Sequence, residues 1–351
     1  MKLVVTGATG NVGTALLKAV HGRRWTVTGV ARRRPATDRP PFSSARWISC
    51  DIGTEDAVKT LTAAFTGADA VVHLAWAIHP RSGDPPMHRT NVLGTAHVLR
   101  AVAAAGVPRL VCASSVAAYA PAPRWERVRE DWPRTGVPGS AYSAGKATLE
   151  AQLDAFTARH PGTRVARVRP CGIAYGAAGA EFSGMMLGPW LPRFLLGSRW
   201  LPIPLWPGFR VQIVHAEDVA AAIGLILRHE AAGAFNLAAE PVLGAKELGE
   251  ILGGLRLPVP LGLLTPAAWL GWRLGLTPLH PAWLVLADRV PLMVTARARE
   301  ELGWSPRHDA AAALEELLAG MRQDRTVDTG PLAPPRGLSL PGRPTHQSQA
   351  C

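Results

Sequence analysis

The sequence has few cysteines, and their spacing suits neither a metal site nor a redox motif. It contains four, at Cys50, Cys112, Cys171 and Cys351, and no two of them form a CxxC pair. This spacing excludes zinc-ribbon and thioredoxin-like motifs, so we predict no metal site. No apolar leader precedes the first predicted strand, and we therefore expect a reducing, cytoplasmic compartment.

Long unbroken hydrophobic runs are also absent. Residues 185–207 and 257–276 are rich in Leu and Trp, but prolines interrupt both segments and the second contains Arg273. A membrane-spanning helix needs about 20 continuous apolar residues, so we predict no transmembrane segment. The first segment is better interpreted as an apolar lid, and the second as a buried or interfacial helix.

A long basic tract is missing as well, although the net charge is +12. The arginines occur singly or in short groups such as Arg32 to Arg34, which argues against a nucleic-acid partner. Hydrophobic residues make up 48% of the chain, enough for a sizeable core. A chain of 351 residues suits one large α/β domain with a smaller appendage, or two domains.

What the sequence does have is a short apolar strand that leads directly into Gly7, Gly10 and Gly13. In a dinucleotide site, the first glycine permits the turn, the second lets the backbone approach the pyrophosphate, and the third lets the helix pack closely. The amides of Asn11 and Val12 open that helix and point towards the anion. The amphipathic helix that follows supports a cofactor site over an ordinary tight turn.

Strand and helix patterns alternate after this point. Apolar runs at 3–5, 26–30, 70–74, 110–113 and 165–169 predict buried parallel strands, with the clearest helix at 91–105. This alternation is typical of an α/β fold with a doubly wound parallel (Rossmann) sheet. We assign residues 1–170 plus about 210–240 to the dinucleotide-binding domain. A smaller, mostly helical C-terminal substrate-binding cap takes about 171–209 plus 241–322, and 324–351 form a disordered tail.

Tyr142 and Lys146 lie four residues apart, so on a helix they share a face. A fixed ammonium can stabilise a phenolate and lower its pKa, which a Tyr acid/base requires at neutral pH. Ser114 and Ser115 end a predicted strand at the carboxyl edge of the sheet, where ligands bind. The alternatives are a solvated Tyr/Lys pair and a serine that caps a turn.

These features belong to an ordered set of short motifs. The set is Thr6–Gly13, Asp51-Ile52, His73–Trp76, Asn91–Thr95, Ser114-Ser115, Tyr142 with Lys146, Arg169-Pro170, Val214–Asp218 and Leu302–Pro306. As a set covering roughly residues 1–320, it resembles the extended short-chain dehydrogenase/reductase superfamily, in particular the NAD(P)-dependent epimerase/dehydratase group.

The resemblance implies a role for each matching residue. Tyr142 would be the acid/base, Lys146 would lower its pKa and hold the nicotinamide ribose, and Ser115 would bind the reacting oxygen. Asn91 would support the cofactor and a proton-relay water. The remaining cofactor contacts would be Asp51 to the adenine amino group, Ile52 against the adenine ring, Leu74, Ala75 and Trp76 along the adenosine and ribose side, and Pro170.

The second predicted strand bears on the choice of nicotinamide cofactor. NAD enzymes usually place an acidic residue near its end, where this chain has Ala31 followed by Arg32 and Arg33. A guanidinium can pair with a 2′-phosphate, which favours NADP over NAD. The alternative is a solvated basic loop.

The family comparison also narrows the reaction. Residues 116–118 are Val-Ala-Ala, without the acidic pair of sugar dehydratases, and Cys171 and Val211 replace an Asn and an Arg common in nucleotide-sugar epimerases. We therefore predict an oxidoreductase that interconverts a rather apolar carbonyl and alcohol. The alternatives are a sugar or nucleotide-sugar epimerase and a non-catalytic, NADP-binding structural or sensor protein. The helices at 91–105 and 141–158 could pair across the axis of a homodimer, as they often do in members of this superfamily.

Overall fold

The computed structural model describes residues 1–78, 85–187, 195–278, 280–323 and 325. Residues 188–194 of the predicted lid lie outside these ranges. So does the predicted tail, apart from Arg325. The first elements are β1 (Lys2–Thr6), α1 (Asn11–Val20), β2 (Thr26–Ala31), β3 (Ala45–Ser49), α2 (Ala57–Phe65), β4 (Ala70–His73), α3 (Pro85–His88), α4 (Gly94–Ala104) and β5 (Arg109–Ala113).

The middle of the chain completes the main sheet. Its elements are β6 (Arg127–Val128), α5 (Ala141–Arg159), β7 (Arg164–Pro170), β8 (Gly172–Ala174), α6 (Gly179–Met186), β9 (Pro202–Leu205), β10 (Arg210–Val211), β11 (Ile213–His215), α7 (Ala216–His229) and β12 (Gly233–Leu237). The last elements are β13 (Leu243–Gly244), α8 (Ala245–Leu252), β14 (Leu255–Pro258), α9 (Leu261–Arg273), α10 (Ala282–Arg289), β15 (Leu292–Met293), α11 (Ala296–Leu302) and α12 (Ala310–Arg322).

Seven parallel strands form the central sheet in the order β12-β7-β5-β4-β1-β2-β3. The strand order reverses beside β1, which pairs with β2 on one side and β4 on the other. In open α/β sheets a crevice for ligands forms at this point, outside the carboxyl ends of the strands. The predicted doubly wound α/β fold is confirmed.

Helices cover both faces of the sheet. Successive residues of each strand point to opposite sides, so each strand contributes side chains to two cores. Leu3 and Val5 of β1 enter one core with residues of α1 and α7. Val4 enters the other core with residues of α2, α4 and α5. Burial on both faces explains why the strands appear in the sequence as short continuous apolar runs.

The strands outside the main sheet are short and are held in two-stranded ladders rather than in a large sheet. β8 pairs with β11, β9 with β14, β10 with β13 and β6 with β15. Within the described ranges, no helix is both long and apolar enough to cross a membrane. α9, predicted as a buried or interfacial helix, contains no buried residue.

Candidate active site

The glycine turn after β1 requires its glycines for steric reasons. Gly7 has a φ of +70°, and a Cβ there would lie 2.5 Å from the backbone nitrogen of Ala75. A Cβ on Gly13 would lie 2.3 Å from the carbonyl oxygen of Gly7. Side chains at these two positions would therefore force β1, the loop after β4 and the start of α1 apart.

The start of α1 is suited to an anion. Gly10 provides no side-chain cap, and the first turn contains no acidic residue. The amide groups of that turn and the helix dipole therefore favour a negatively charged ligand. The predicted set of Gly7, Gly10, Asn11, Val12 and Gly13 thus lies together and fits the pyrophosphate of a dinucleotide.

On the predicted adenine side, Asp51 and Ile52 follow β3. Asp51 accepts a hydrogen bond from the amide of Gly53 at 3.0 Å and forms an ion pair with Arg89 at 2.7 Å. Ile52 is buried against the start of α4. The Arg89 partner was not anticipated from the sequence, and the adenine contact of Asp51 remains a prediction.

The loop after β4 is fixed by Asn91. Its side chain accepts a hydrogen bond from the amide of Ala77 at 2.7 Å and donates one to the Ala77 carbonyl at 2.9 Å. The main-chain oxygen of Asn91 accepts a bond from Thr95, which also contacts His73. Asn91 therefore holds the loop that carries Leu74, Ala75 and Trp76, and its predicted roles towards a cofactor and a relay water remain predictions.

The predicted catalytic residues lie close together at the carboxyl edge of β5. The hydroxyl groups of Tyr142 and Ser115 face each other closely enough to affect the titration of the phenol. Lys146, only 2% exposed, donates from Nζ to the Ala113 carbonyl at 2.9 Å. Ser143 ties the start of α5 to this edge by donating from its hydroxyl to the Ala117 carbonyl at 2.5 Å.

The electrostatics of this group differ from the sequence-based expectation. Burial raises the pKa of Tyr142, and the hydrogen bond with Ser115 acts in the opposite direction. Burial lowers the pKa of Lys146 to about 7, although nearby Cys112 and Glu150 act against this. The predicted lowering of the Tyr142 pKa by Lys146 is not seen, since burial and Ser115 are the causes of its shift.

Two tryptophans enclose the phenol ring. Trp76 lies with its ring centre 6.4 Å from that of Tyr142, and its face is 3.6 Å from Nζ of Lys146. Trp283 of α10 lies 5.3 Å from Tyr142, centre to centre. Trp76 was predicted to line the adenosine and ribose side, and its ring lies at the catalytic end. Trp283 was not singled out, because one Trp in an apolar helix carries no signal of its own.

A buried ionic cluster lies one helical turn beyond Lys146. Glu150 accepts two hydrogen bonds from Arg169, at 2.8 and 2.9 Å, and one from Arg167 at 3.0 Å. Arg169 also donates to the hydroxyl of Tyr119 at 2.7 Å. Sequence reasoning missed this cluster, although the spacing of Lys146 and Glu150 places both on one face of α5.

We expect Lys146→Met to stabilise the protein most at acidic pH. The folded pKa of Lys146 is about 7, below its ordinary 10.5, so the unfolded chain binds more protons between those values. The free-energy cost of burying the ammonium is therefore at its full size below pH 7, and it becomes smaller as pH rises towards 10.5. The gain should reach up to about 5 kcal/mol in urea unfolding near pH 6. Exposed Lys59→Met is the control, and a gain that does not change with pH would contradict this account.

The model of the NAD dependent epimerase/dehydratase family matches residues 3–238. An uncharacterized protein of Mycobacterium tuberculosis is 27% identical over 332 residues, which cover 92% of this chain and 30% of that protein. The chain thus spans less than a third of the length of the mycobacterial proteins that it matches.

Characterised relatives catalyse different reactions. A dTDP-glucose 4,6-dehydratase of Streptomyces antibioticus is 30% identical over 368 residues, covering 96% of this chain and 99% of the relative. A 4-hydroxy-2-methyl-3-oxo-4-farnesyl-3,4-dihydroquinoline-1-oxide ketoreductase of Stigmatella aurantiaca is 33% identical over 170 residues, 48% of this chain and 49% of that enzyme. The family is therefore clear, and the relatives do not define one substrate.

Solved structures agree on the fold. The UDP-glucose 4-epimerase of Thermus thermophilus in complex with NAD has a TM-score of 0.65 at 21% identity, over 92% of this chain and 99% of its own. MoeE5 in complex with UDP-glucuronic acid and NAD has the same TM-score at 22% identity, over 92% and 100%. With the family match over most of the chain, the expected resemblance is confirmed: this protein belongs to the NAD dependent epimerase/dehydratase family, of the extended short-chain dehydrogenase/reductase type.

Proposed function

We propose that this protein is an NAD(P)-dependent oxidoreductase that interconverts a rather apolar carbonyl and alcohol. The observation that carries this proposal is the position of Tyr142, which lies beside Ser115 and in ring contact with Trp76 and Trp283. An acid/base with aromatic walls and few polar groups suits an apolar substrate.

The chain's own residues can manage the proton. In reduction, the Tyr142 hydroxyl gives its proton to the substrate oxygen, and in oxidation the phenolate takes it back. Ser115 already accepts a hydrogen bond from the Ala117 amide at 3.1 Å, so its hydroxyl proton can be directed at the phenol or at the substrate oxygen. Lys146 stabilises the phenolate when its ammonium turns from the Ala113 carbonyl. A bound nicotinamide supplies or accepts the hydride.

A nucleotide diphosphate finds little support in the cap. Arg210, next to the position where epimerases commonly carry an Arg, is 2% exposed. It donates to the carbonyl of Asp288 at 2.8 Å and to that of Val290 at 3.3 Å. Its guanidinium therefore stabilises the cap instead of facing a ligand.

Dehydration also lacks its usual groups. Residues 116–118 form a buried turn of Val-Ala-Ala beside Ser115, without a carboxylate. The Stigmatella aurantiaca ketoreductase, by contrast, is named for a substrate with an oxo group and a farnesyl chain. Its resemblance to 48% of this chain supports an apolar ketone as the substrate class.

The test is a cofactor and substrate screen with the purified chain. Loss of NADPH absorbance with apolar ketones, and none with UDP-sugars, is expected. Interconversion of a UDP-sugar with no net change in reduced cofactor would instead establish an epimerase. Tight binding of the cofactor with no turnover on either panel would favour a structural or sensor role.

We further propose that NADP is preferred. Arg32 and Arg33 are exposed directly after Ala31, the last residue of β2, and no acidic side chain occupies that place. A guanidinium can bind a 2′-phosphate through two hydrogen bonds.

The double substitution Arg32→Ser with Arg33→Ser should weaken NADPH binding at least about ten-fold, the equivalent of one charge-assisted contact. NADH binding should change little, because NADH has no 2′-phosphate. Fluorescence titration measures both. Exposed Arg100→Ser of α4 is the control for the loss of charge. Equal weakening of both cofactors would refute the assignment.

A further inference from the structure

The cap carries an apolar surface that the described residues leave uncovered. It is formed by one side of α9 with the turn after it, and by the neighbouring strand β14; we call it the α9 face. Leu263 is 67% exposed and Trp269 49% exposed, and all of β14 is exposed. Its large members are Leu255, Leu257, Leu263, Trp269, Leu270 and Leu274. Soluble monomers rarely expose a contiguous apolar patch of this kind without a use for it.

The opposite side of the same segment is anchored. Leu261 and Leu264 of α9 pack against a buried cluster that contains Ile203, Leu205 and Trp206. β14 is hydrogen-bonded to β9 as a parallel strand. The inner side of the segment therefore holds it in place, and the leucines on its other side remain exposed to solvent.

Within the segment that carries the α9 face, the charged side chains are all of one sign. Residues 251–287 contain no Asp or Glu, and their charged side chains are Arg256 and Arg273. The guanidinium of Arg273 lies 5.5 Å from the Trp269 ring. Beside the ladder of β9 and β14, Arg199 lies 4.9 Å from the ring of Trp200, which is 75% exposed.

We propose that the α9 face docks on a membrane surface that contains anionic lipids. Leucines would enter the boundary between headgroups and acyl chains, while Trp and Arg side chains would lie at the level of the headgroups. The 13 residues of α9 span about 20 Å, so the helix would lie in the interface and not cross it.

Charge favours a bilayer over a second copy of this chain as the occupant. A symmetric dimer through the α9 face would bring Arg256 and Arg273 of both copies together. No acidic residue between 251 and 287 is available to pair with them. Phosphate groups of anionic lipids would pair with the same arginines, each worth about 1 kcal/mol near the surface.

The test is co-sedimentation of the full chain with vesicles of phosphatidylcholine, with and without phosphatidylglycerol. We expect binding that needs phosphatidylglycerol. Arg256→Gln with Arg273→Gln should weaken it about ten-fold or more. Leu263→Glu with Trp269→Glu should weaken it at least as much, because apolar burial is lost and two negative charges are added next to the anionic lipids.

Leu93→Glu is the control, since Leu93 is a similarly exposed leucine outside the cap. Thermal unfolding checks that every variant is folded. Unchanged binding of the Leu263/Trp269 variant would overturn the proposal, because binding would then reflect only the net charge of +12. Failure of the wild-type chain to bind would also overturn it, whether or not light scattering shows a dimer through this face.

Discussion

Tyr142→Phe is expected to lower kcat by about 10²–10⁴-fold, the usual contribution of a positioned acid/base. Phe keeps the ring between Trp76 and Trp283, so the site should retain its shape and the Kd of NADPH should change little. Single-turnover absorbance measurements would report the chemical step, and fluorescence titration the binding of the cofactor.

Tyr175 provides a matched control. Tyr175 is buried, and its hydroxyl accepts a hydrogen bond from Lys18 at 2.6 Å, so Tyr175→Phe removes a buried phenol hydroxyl in another part of the fold. Its kcat should remain within about two-fold of the wild-type value. Full activity of Tyr142→Phe would exclude the phenol as acid/base while leaving cofactor binding by the chain intact.

Glu150→Gln is expected to destabilise the protein by about 3–5 kcal/mol, because it leaves buried guanidinium charge unpaired. Arg169 is 2% exposed and Arg167 8% exposed, and Glu150 holds both. Gln has nearly the same shape, so the loss would report charge and hydrogen bonding. Urea unfolding at neutral pH measures the free energy.

Asp154→Asn is the control for that experiment. Its side chain is 48% exposed and pairs with Arg134 and Arg167, so its loss should cost less than about 1 kcal/mol. A similar cost for both substitutions would show that the buried cluster contributes no special stability.

The Glu150 carboxylate also predicts how the folding stability falls at acidic pH. Burial raises the pKa of Glu150, but hydrogen bonds and the charge of Arg169 outweigh it and hold the pKa at about 2. Because this lies below the ordinary value of 4.5, the contribution is complete above about pH 4.5 and is lost as pH falls towards 2. Glu150→Gln should lack that part of the acid dependence.

The fold could be predicted wherever local patterns match tertiary burial. Strands covered on both faces, such as β1 and β4, appear as short apolar runs, and the glycines after β1 are required by close backbone contacts. β3 and β12 were missed. β3 is an edge strand with two exposed residues, and β12 contains buried Asn236, whose polar side chain is satisfied by distant carbonyls.

The site could be predicted only in part. The spacing of Tyr142 and Lys146 sufficed to place both on α5, and Ser115 was found from its position at a strand end. The pKa values could not be predicted, because they depend on burial and on where the ammonium points. Trp283 lies far along the chain, and only the packing of α10 brings it to the phenol.

The arrangement of α5 has a consequence for how this protein can change over time. One helix carries the Lys146 ammonium that we propose for the reaction and, a turn later, the Glu150 carboxylate at the centre of a buried ionic cluster. A replacement that rotates or shifts the helix would disturb both together. Stability and the proposed activity therefore depend on the same helix. A substitution in α5 that improves one is constrained by its effect on the other.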